Sequence, residues 1–166
     1  GLPLTIKGSE NPLPINYFEN KGSAQVKSSI ILAGLKTTGK TFIKCKPSRD
    51  HTERLCKYLK LPLKVKKKNN YDLIEVEKVK KIKPLNYKIP SDISSAAFFI
   101  VLTALSNNSK LLIENVNINP SRIGIITILK KMGVNIQFKN KKNYKGELIA
   151  DILILSTKKL KAINCP

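Results

Sequence analysis

Apolar and polar residues alternate from Leu2 to Lys7 and again from Lys40 to Cys45, the period-two pattern of a strand with one buried face. Between these stretches the pattern changes. Gly8-Ser9-Glu10-Asn11-Pro12 is turn-forming, Leu13-Pro14-Ile15 leads out of it, and from Lys21-Gly22-Ser23 the chain enters an apolar run that closes on Gly34. In that run Val26, Ile30 and Ala33 fall at i, i+4 and i+7, while Ile31 and Leu32 make the remaining circumference apolar. The pattern predicts a buried helix rather than a surface one. Ser23 suits its N-cap, and Gly34 can take the left-handed conformation that ends it. A second helix is predicted from Pro47-Ser48-Arg49-Asp50-His51-Thr52-Glu53, with Ser48 as N-cap and acids in the first turn. Thr52, Leu55, Cys56 and Leu59 give it one apolar stripe. Leu63 to Lys67 and Tyr71 to Val79 follow as two more strands.

Lys80-Lys81-Ile82-Lys83-Pro84 interrupts this order, and then it resumes. Ser91-Asp92 opens a helix that is apolar all round from Ala96 to Leu102. Lys110 to Val116 is a strand, Pro120-Ser121-Arg122 opens a helix that ends at Lys131-Met132-Gly133, and Asn135 to Lys139 and Asp151 to Ser156 are the closing strands. Pro47-Ser48-Arg49 recurs as Pro120-Ser121-Arg122, an offset of 73 residues that also carries Ile43 to Val116, Leu55 to Ile128, Leu59 to Met132 and Leu61 to Val134. This is an internal repeat. The fold class it predicts is α/β, of the α+β kind, with repeated strand-helix-strand-helix-strand-strand units. Each unit buries its apolar helix poorly alone, and stacked units bury it in common.

Composition narrows the function. The chain has 166 residues, enough for one ordinary domain or two small units, and 42% are hydrophobic. No apolar run reaches the ~20 residues that span a bilayer, and Gly1-Leu2-Pro3-Leu4 does not begin a basic-then-apolar leader. A start at Gly1 and an end at Pro166 lead us to expect a piece of something longer. Cys45, Cys56 and Cys165 are odd in number and irregular in spacing. They fit neither a disulfide framework nor a zinc pattern, so reduced thiols in a cytoplasm are expected. The formal charge of +20 brings nucleic acid into consideration. Yet Arg49, Arg54 and Arg122 are the only arginines, and the lysines are scattered among abundant Asn and Ile, as drift towards AT-rich codons would leave them. The densest run, Lys64-Val65-Lys66-Lys67-Lys68, alternates like an exposed strand end. Neither a nucleic-acid nor a membrane partner is expected, though the charge steers small anions in general.

The chemistry concentrates at Ser23. A buried helix whose N-terminus emerges from a Gly-Ser turn carries unpaired N–H groups and roughly half a positive charge there, a seat for phosphate or carboxylate. Ser23-Ala24-Gln25-Val26-Lys27-Ser28, followed by Leu32-Ala33-Gly34-Leu35, resembles the substrate-binding segment of the 5-enolpyruvylshikimate-3-phosphate synthases of the enolpyruvyl transferase family. Pro47 to Arg54, Ile89 to Ala96, and Glu114-Asn115-Val116 with Asn119-Pro120-Ser121-Arg122 resemble other wording of the same family. With the repeat as an independent feature, the resemblance covers essentially the whole chain.

The resemblance implies an inside-out α/β barrel architecture of six such units in two domains of three. Residues 1–88 would be part of the first domain and 89–166 the start of the second, one repeat unit. It implies transfer of the enolpyruvyl group of phosphoenolpyruvate to the 5-hydroxyl of shikimate 3-phosphate, with loss of phosphate. No metal or organic cofactor is implied, and the full-length protein would be a cytoplasmic monomer. By the same resemblance Ser23 bonds the substrate phosphate and the backbone at Ala24 assists, its side chain lacking the hydroxyl that many relatives have. Gln25 touches both substrates, and Arg49 holds the phosphorylated one, with Ser48 as a lesser addition. Arg122, at the repeat-related position, is expected to be structural. His51 is expected to be a helix-turn residue, and Asp92 a helix-start residue rather than the catalytic acid. No catalytic residue is expected in this segment, which would be inactive by itself. Two alternatives stand beside this: a UDP-N-acetylglucosamine enolpyruvyl transferase, which shares the repeat, and a Lys-rich nucleic-acid-binding module.

Overall fold

The structure, a computed structural model, describes residues 2–164. The chain divides into two compact units, Gly1–Pro84 and Leu85–Pro166. The first contains β1 (Asn16–Glu19), α1 (Ala24–Gly34), β2 (Lys40–Cys45), α2 (His51–Tyr58), β3 (Leu63–Lys67) and β4 (Asp72–Glu77). Its sheet has the order β1-β2-β4-β3, with β1 parallel to β2 and the other pairs antiparallel. The alternation in β2 sends Thr41, Ile43 and Cys45 inward and Lys40, Phe42 and Lys44 outward. Ile43 meets Ile74 of β4 in register, and with Ile31 and Leu35 they form a core that Cys56 and Val76 complete.

The second unit contains α3 (Ile93–Leu105), β5 (Lys110–Asn117), α4 (Gly124–Lys131), β6 (Asn135–Tyr144) and β7 (Glu147–Leu155). Its sheet runs β5-β7-β6, both pairs antiparallel. Ser91 makes a single parallel bridge to Val116 of β5, where the first unit has the parallel strand β1 beside β2. The two units therefore share one topology, with the first strand reduced to one bridge in the second. Asp151 on the central strand pins irregularities on both neighbours. It accepts from the Asn115 N–H at 2.8 Å and the Asn140 amide at 2.7 Å, and both asparagines have positive φ.

Several expectations need correction. Leu2 to Lys7 is not a strand: residues 2–15 carry no regular element, and Leu2, Leu4 and Ile6 are 90%, 71% and 82% exposed. Alternation alone makes no strand without a ladder partner, and among the described residues the place beside β2 is taken by Asn16–Glu19. The apolar-all-round helices are buried on one side only. Lys27, Ile31 and Gly34 of α1 face inward while Leu32 is 58% exposed, and on α3 Phe98 and Leu102 stand out while Ile93 and Ile100 are buried. A sheet on one side of a helix covers one face of it, and each unit supplies one sheet. Helix α2 starts at His51, not at Ser48, and Asp50 stands in the cap position without a side-chain cap bond. Its carboxylate instead faces Arg54 Nε at 2.9 Å and Lys67 Nζ at 3.3 Å. Helix α4 likewise begins late, at Gly124. β4 is shorter than Tyr71 to Val79. β6 and β7 are longer than expected, because the polar stretch Asn140–Tyr144 continues along an edge strand that water can face.

The centre of β7 provides a test of this packing. Ile152 is fully buried between Ile113 and Phe138 in register, whereas Leu112 on the same sheet is 49% exposed. Ile152→Ala should cost about 2–5 kcal/mol in urea unfolding, and Leu112→Ala less than about 1 kcal/mol. Equal shifts of the unfolding midpoint would contradict the core placement.

Candidate functional site

The turn before α1 is built on a buried acid. Glu19 ends β1 and is 3% exposed. Its carboxylate accepts the Lys21 N–H at 2.9 Å and the Gly22 N–H at 2.8 Å. Gly22 has φ of 75°, a left-handed conformation that glycine takes without strain. Burial pushes the Glu19 pKa up, but the N–H groups of Ser23, Lys21 and Gly22 together with the Lys27 charge outweigh it, so the net shift is downward. The fixed turn delivers Ser23 in extended geometry as the N-cap of α1, where its hydroxyl oxygen accepts from the Val26 N–H at 3.3 Å. Ala24 and Gln25 are then the first two helical residues, at the positive end of the helix.

The loop after β2 is anchored to the same turn, because the Lys46 N–H donates to the Glu19 carbonyl at 3.1 Å. Three residues on, Arg49 Nη2 donates to Gln25 Oε1 at 3.2 Å. The sequence-predicted residues Ser23, Ala24, Gln25 and Arg49 are therefore brought together, from two segments 24 residues apart at Gln25 and Arg49. Since a guanidinium only donates, this bond fixes the Gln25 amide with its oxygen towards Arg49 and its NH2 free to donate elsewhere. Among the described residues no carboxylate lies within ion-pair distance of Arg49.

Beneath this surface group lies a residue that the hydrophobic pattern missed. Lys27 is fully buried, yet its ammonium pairs with Glu53 Oε1 at 2.6 Å and donates to the Arg49 carbonyl at 2.8 Å. A parallel tie joins the Ser28 and Thr52 hydroxyls at 2.7 Å. Helix α1 is thus bound to the start of α2 and to the backbone of Arg49 itself. A signal was present: Lys27 is the only charged residue from Ser23 to Leu35, and with Ile31 and Gly34 it falls at i, i+4 and i+7.

The second unit repeats the arrangement with a different charge balance. Arg122 reaches the start of α3, where its Nη2 meets Ser94 Oγ at 2.5 Å and Asp92 Oδ1 at 3.1 Å. Ser94 is the second residue of α3 as Gln25 is of α1, and Asp92 is its N-cap as Ser23 is of α1. Asp92 also accepts from the Ser95 N–H. Here the arginine is neutralised by the cap, whereas the Ser23 cap carries no charge to set against Arg49.

His51 opens α2. Ser48 caps nothing, and its hydroxyl oxygen is buried without a hydrogen-bond partner. Cys45 and Cys56 are buried free thiols, and burial pushes Cys45 up to about 11, which keeps it unreactive at neutral pH. Cys165 lies outside the described residues. Among the described residues no group of three or more His, Cys, Asp and Glu side chains could hold a metal ion, and no helix is long and apolar enough to cross a membrane.

Comparison with known proteins bears on the family and the fold. The family model described as EPSP synthase (3-phosphoshikimate 1-carboxyvinyltransferase) matches residues 1–164. The 3-phosphoshikimate 1-carboxyvinyltransferase of Caldicellulosiruptor bescii is 45% identical over 157 residues, covering 94% of this chain and 36% of the relative. The enzyme of the same name from Ruthia magnifica subsp. Calyptogena magnifica is 45% identical over 166 residues, covering 99% and 37%. Among solved structures, EPSP synthase from Acinetobacter baumannii superposes with a TM-score of 0.82 at 41% identity, over 97% of this chain and 36% of that one. The chain thus spans about a third of the length of the relatives it matches.

The buried acid of the turn makes a pH prediction. With its folded pKa lowered, Glu19 contributes stability that is complete above the ordinary value of 4.5 and is lost as the pH falls below that through the folded value. Urea midpoints measured from neutral pH down to about pH 3 should fall on the acid side, and Glu19→Gln should remove part of that slope. An unchanged acid slope in the variant would exclude this role for Glu19.

Proposed function

The chain belongs to the EPSP synthase family, and from that premise we propose that it is the part of a 3-phosphoshikimate 1-carboxyvinyltransferase that holds shikimate 3-phosphate. Ser23, Ala24, Gln25 and Arg49 are its substrate-binding residues. The whole protein moves the enolpyruvyl group of phosphoenolpyruvate to the 5-hydroxyl of shikimate 3-phosphate and releases phosphate, a step towards chorismate and the aromatic amino acids. Residues 1–88 belong to its first domain and 89–166 begin its second. The reading extends to a cytoplasmic monomer acting on two small molecules.

One observation carries the reading: Arg49 stands over the start of α1 beside Gln25 with no carboxylate among the described residues to neutralise it, while its counterpart Arg122 is paired with Asp92. The parts divide the work of holding a phosphate. Ser23 accepts from Val26 through its oxygen and keeps its O–H proton for a ligand. The early N–H groups of α1, Ala24's included, supply directed neutral donors, since the first turn of a helix has no internal partners for them. Gln25 offers its NH2 group. Arg49 supplies the full charge and a planar fork suited to two oxygens of one anion. A substrate held by several groups from two elements is fixed in orientation as well as position, which is what a reaction between two polyanions needs from its binding site.

Arg49→Ala in the whole protein should lower shikimate 3-phosphate affinity about ten- to a hundredfold, or about 1.5–3 kcal/mol, in a calorimetric titration. Arg122→Ala, which removes the same charge from the repeat-related position, should leave that affinity within about twofold, since general electrostatics between exposed charges is largely screened. Equal losses would mean that only net charge matters. Gln25→Ala should raise the Michaelis constants of both substrates, and unchanged constants and turnover would exclude the role given to its amide.

A further inference from the structure

We propose that Lys27 is a positioning residue for Arg49, so that the substrate contact at the surface is set by a buried ion pair beneath it. The proposal rests on Arg49 being a shikimate 3-phosphate ligand, and goes beyond it by naming what holds that ligand in place.

Lys27 leaves α1 one turn after the Ser23 cap, and its own N–H bonds the Ser23 carbonyl at 3.1 Å. Its side chain is fully buried. The ammonium has two partners on the neighbouring segment, the Glu53 carboxylate at 2.6 Å and the Arg49 carbonyl at 2.8 Å. Glu53 sits in the first turn of α2 and is 7% exposed. Arg49 itself lies outside any helix or strand, so neither an α nor a β ladder fixes its backbone. The Lys27 bond supplies the missing constraint. It ties the carbonyl of Arg49 to the same helix turn that carries Ser23, Ala24 and Gln25. The guanidinium then needs only its own side-chain torsions to reach Gln25 Oε1 at 3.2 Å. A flexible arginine with a fixed root loses less freedom on gripping an anion than one on a mobile loop, and that difference appears as affinity.

The second unit shows what happens without such a lysine. The residue of α3 four after the Asp92 cap is Ala96, as Lys27 is four after Ser23. There the arginine is held by its side chain instead, through Asp92 and Ser94. Holding an arginine by its backbone leaves its charge available, and holding it by its side chain consumes that charge.

A variant that removes only one of two buried opposite charges strands the other and risks unfolding, whereas replacing both by apolar residues of similar volume is often neutral for stability. The test therefore uses Lys27→Met/Glu53→Leu in the whole protein, with and without Arg49→Ala, and titrates shikimate 3-phosphate. With Arg49 present, the double replacement should weaken binding roughly tenfold with phosphoenolpyruvate affinity little changed. In the Arg49→Ala background it should weaken binding no more than about twofold, because the residue being positioned is gone. Equal losses in the two backgrounds would overturn the proposal, since a merely structural role is additive. Glu53→Gln is the second arm. It weakens the pair but leaves Lys27 on the Arg49 carbonyl, so the melting temperature should fall while affinity stays within about twofold. A loss of affinity that follows the loss of stability in Glu53→Gln would overturn the proposal even if the double replacement did not fold. Should Arg49→Ala alone leave affinity unchanged, the reading of Arg49 as a ligand fails and the proposal falls with it. Should Arg49→Ala weaken binding and the Lys27 variants not, only the positioning role fails.

Discussion

The first unit depends on a charge placed where charges are costly. Lys27 has no exposed surface, and removing an ammonium from water carries a penalty of several kcal/mol even after relaxation. The penalty is offset locally by Glu53 at 2.6 Å and the Arg49 carbonyl at 2.8 Å. An apolar residue in its place would fill the same core with less risk, so stability alone is a poor reason for the pair. Its geometry explains more. A leucine can pack α1 against α2 in several nearly equal ways, but an ammonium with two directed partners accepts one register. The remaining polar ties act in the same sense: Ser28 with Thr52, Glu19 with the turn, Lys46 with the end of β1. Four separate links fix the relation between the start of α1 and the loop carrying Arg49.

The repeat makes the consequence visible, because the molecule contains its own comparison. Both units place an arginine from the loop after the second strand position over the second residue of a helix, Gln25 in one and Ser94 in the other. Both give that helix an oxygen-bearing N-cap. The difference is one of charge. Asp92 serves its own helix end and Arg122 together, and the sum is neutral and closed. Ser23 caps α1 without charge, so the partial positive charge of the helix end and the full charge of Arg49 remain together at one place. The same backbone yields a closed, neutral joint in one unit and, in the function we propose, an anion seat in the other.

What the sequence made legible follows from which interactions are local. The strands Lys40–Cys45 and Leu63–Lys67 and the span of α1 agree with the pattern, because alternation and a Ser cap are written in neighbouring residues. The convergence of Ser23 with Arg49 was legible through family wording and the order of elements. The misses share a cause. Asn16–Glu19 has no alternation, and its one buried residue is a glutamate, so a hydropathy pattern passes over it and selects Leu2 to Lys7. Ser48 looks like a cap by local rules, yet the bonds holding Lys46 and Arg49 come from β1 and α1 and keep the chain out of helical geometry until His51. Lys27 carries a local signal in its place with Ile31 and Gly34, but that Glu53 is its partner is visible only through a long-range contact.

The net charge of +20 and the site are separate matters in this protein. Most of the lysines are exposed, and beyond about 8 Å their fields are screened at physiological salt. Such a surface draws anions towards it but cannot distinguish a phosphate from a carboxylate or fix the orientation of either. Discrimination requires donors whose directions are set before the ligand arrives. At the start of α1 those directions are set from below, by a carboxylate holding the turn and an ammonium holding the loop. Neither of these buried charges faces the solvent from which an anion would come. Their contribution is to make one exposed arginine, among 31 cationic residues, stand in a defined place.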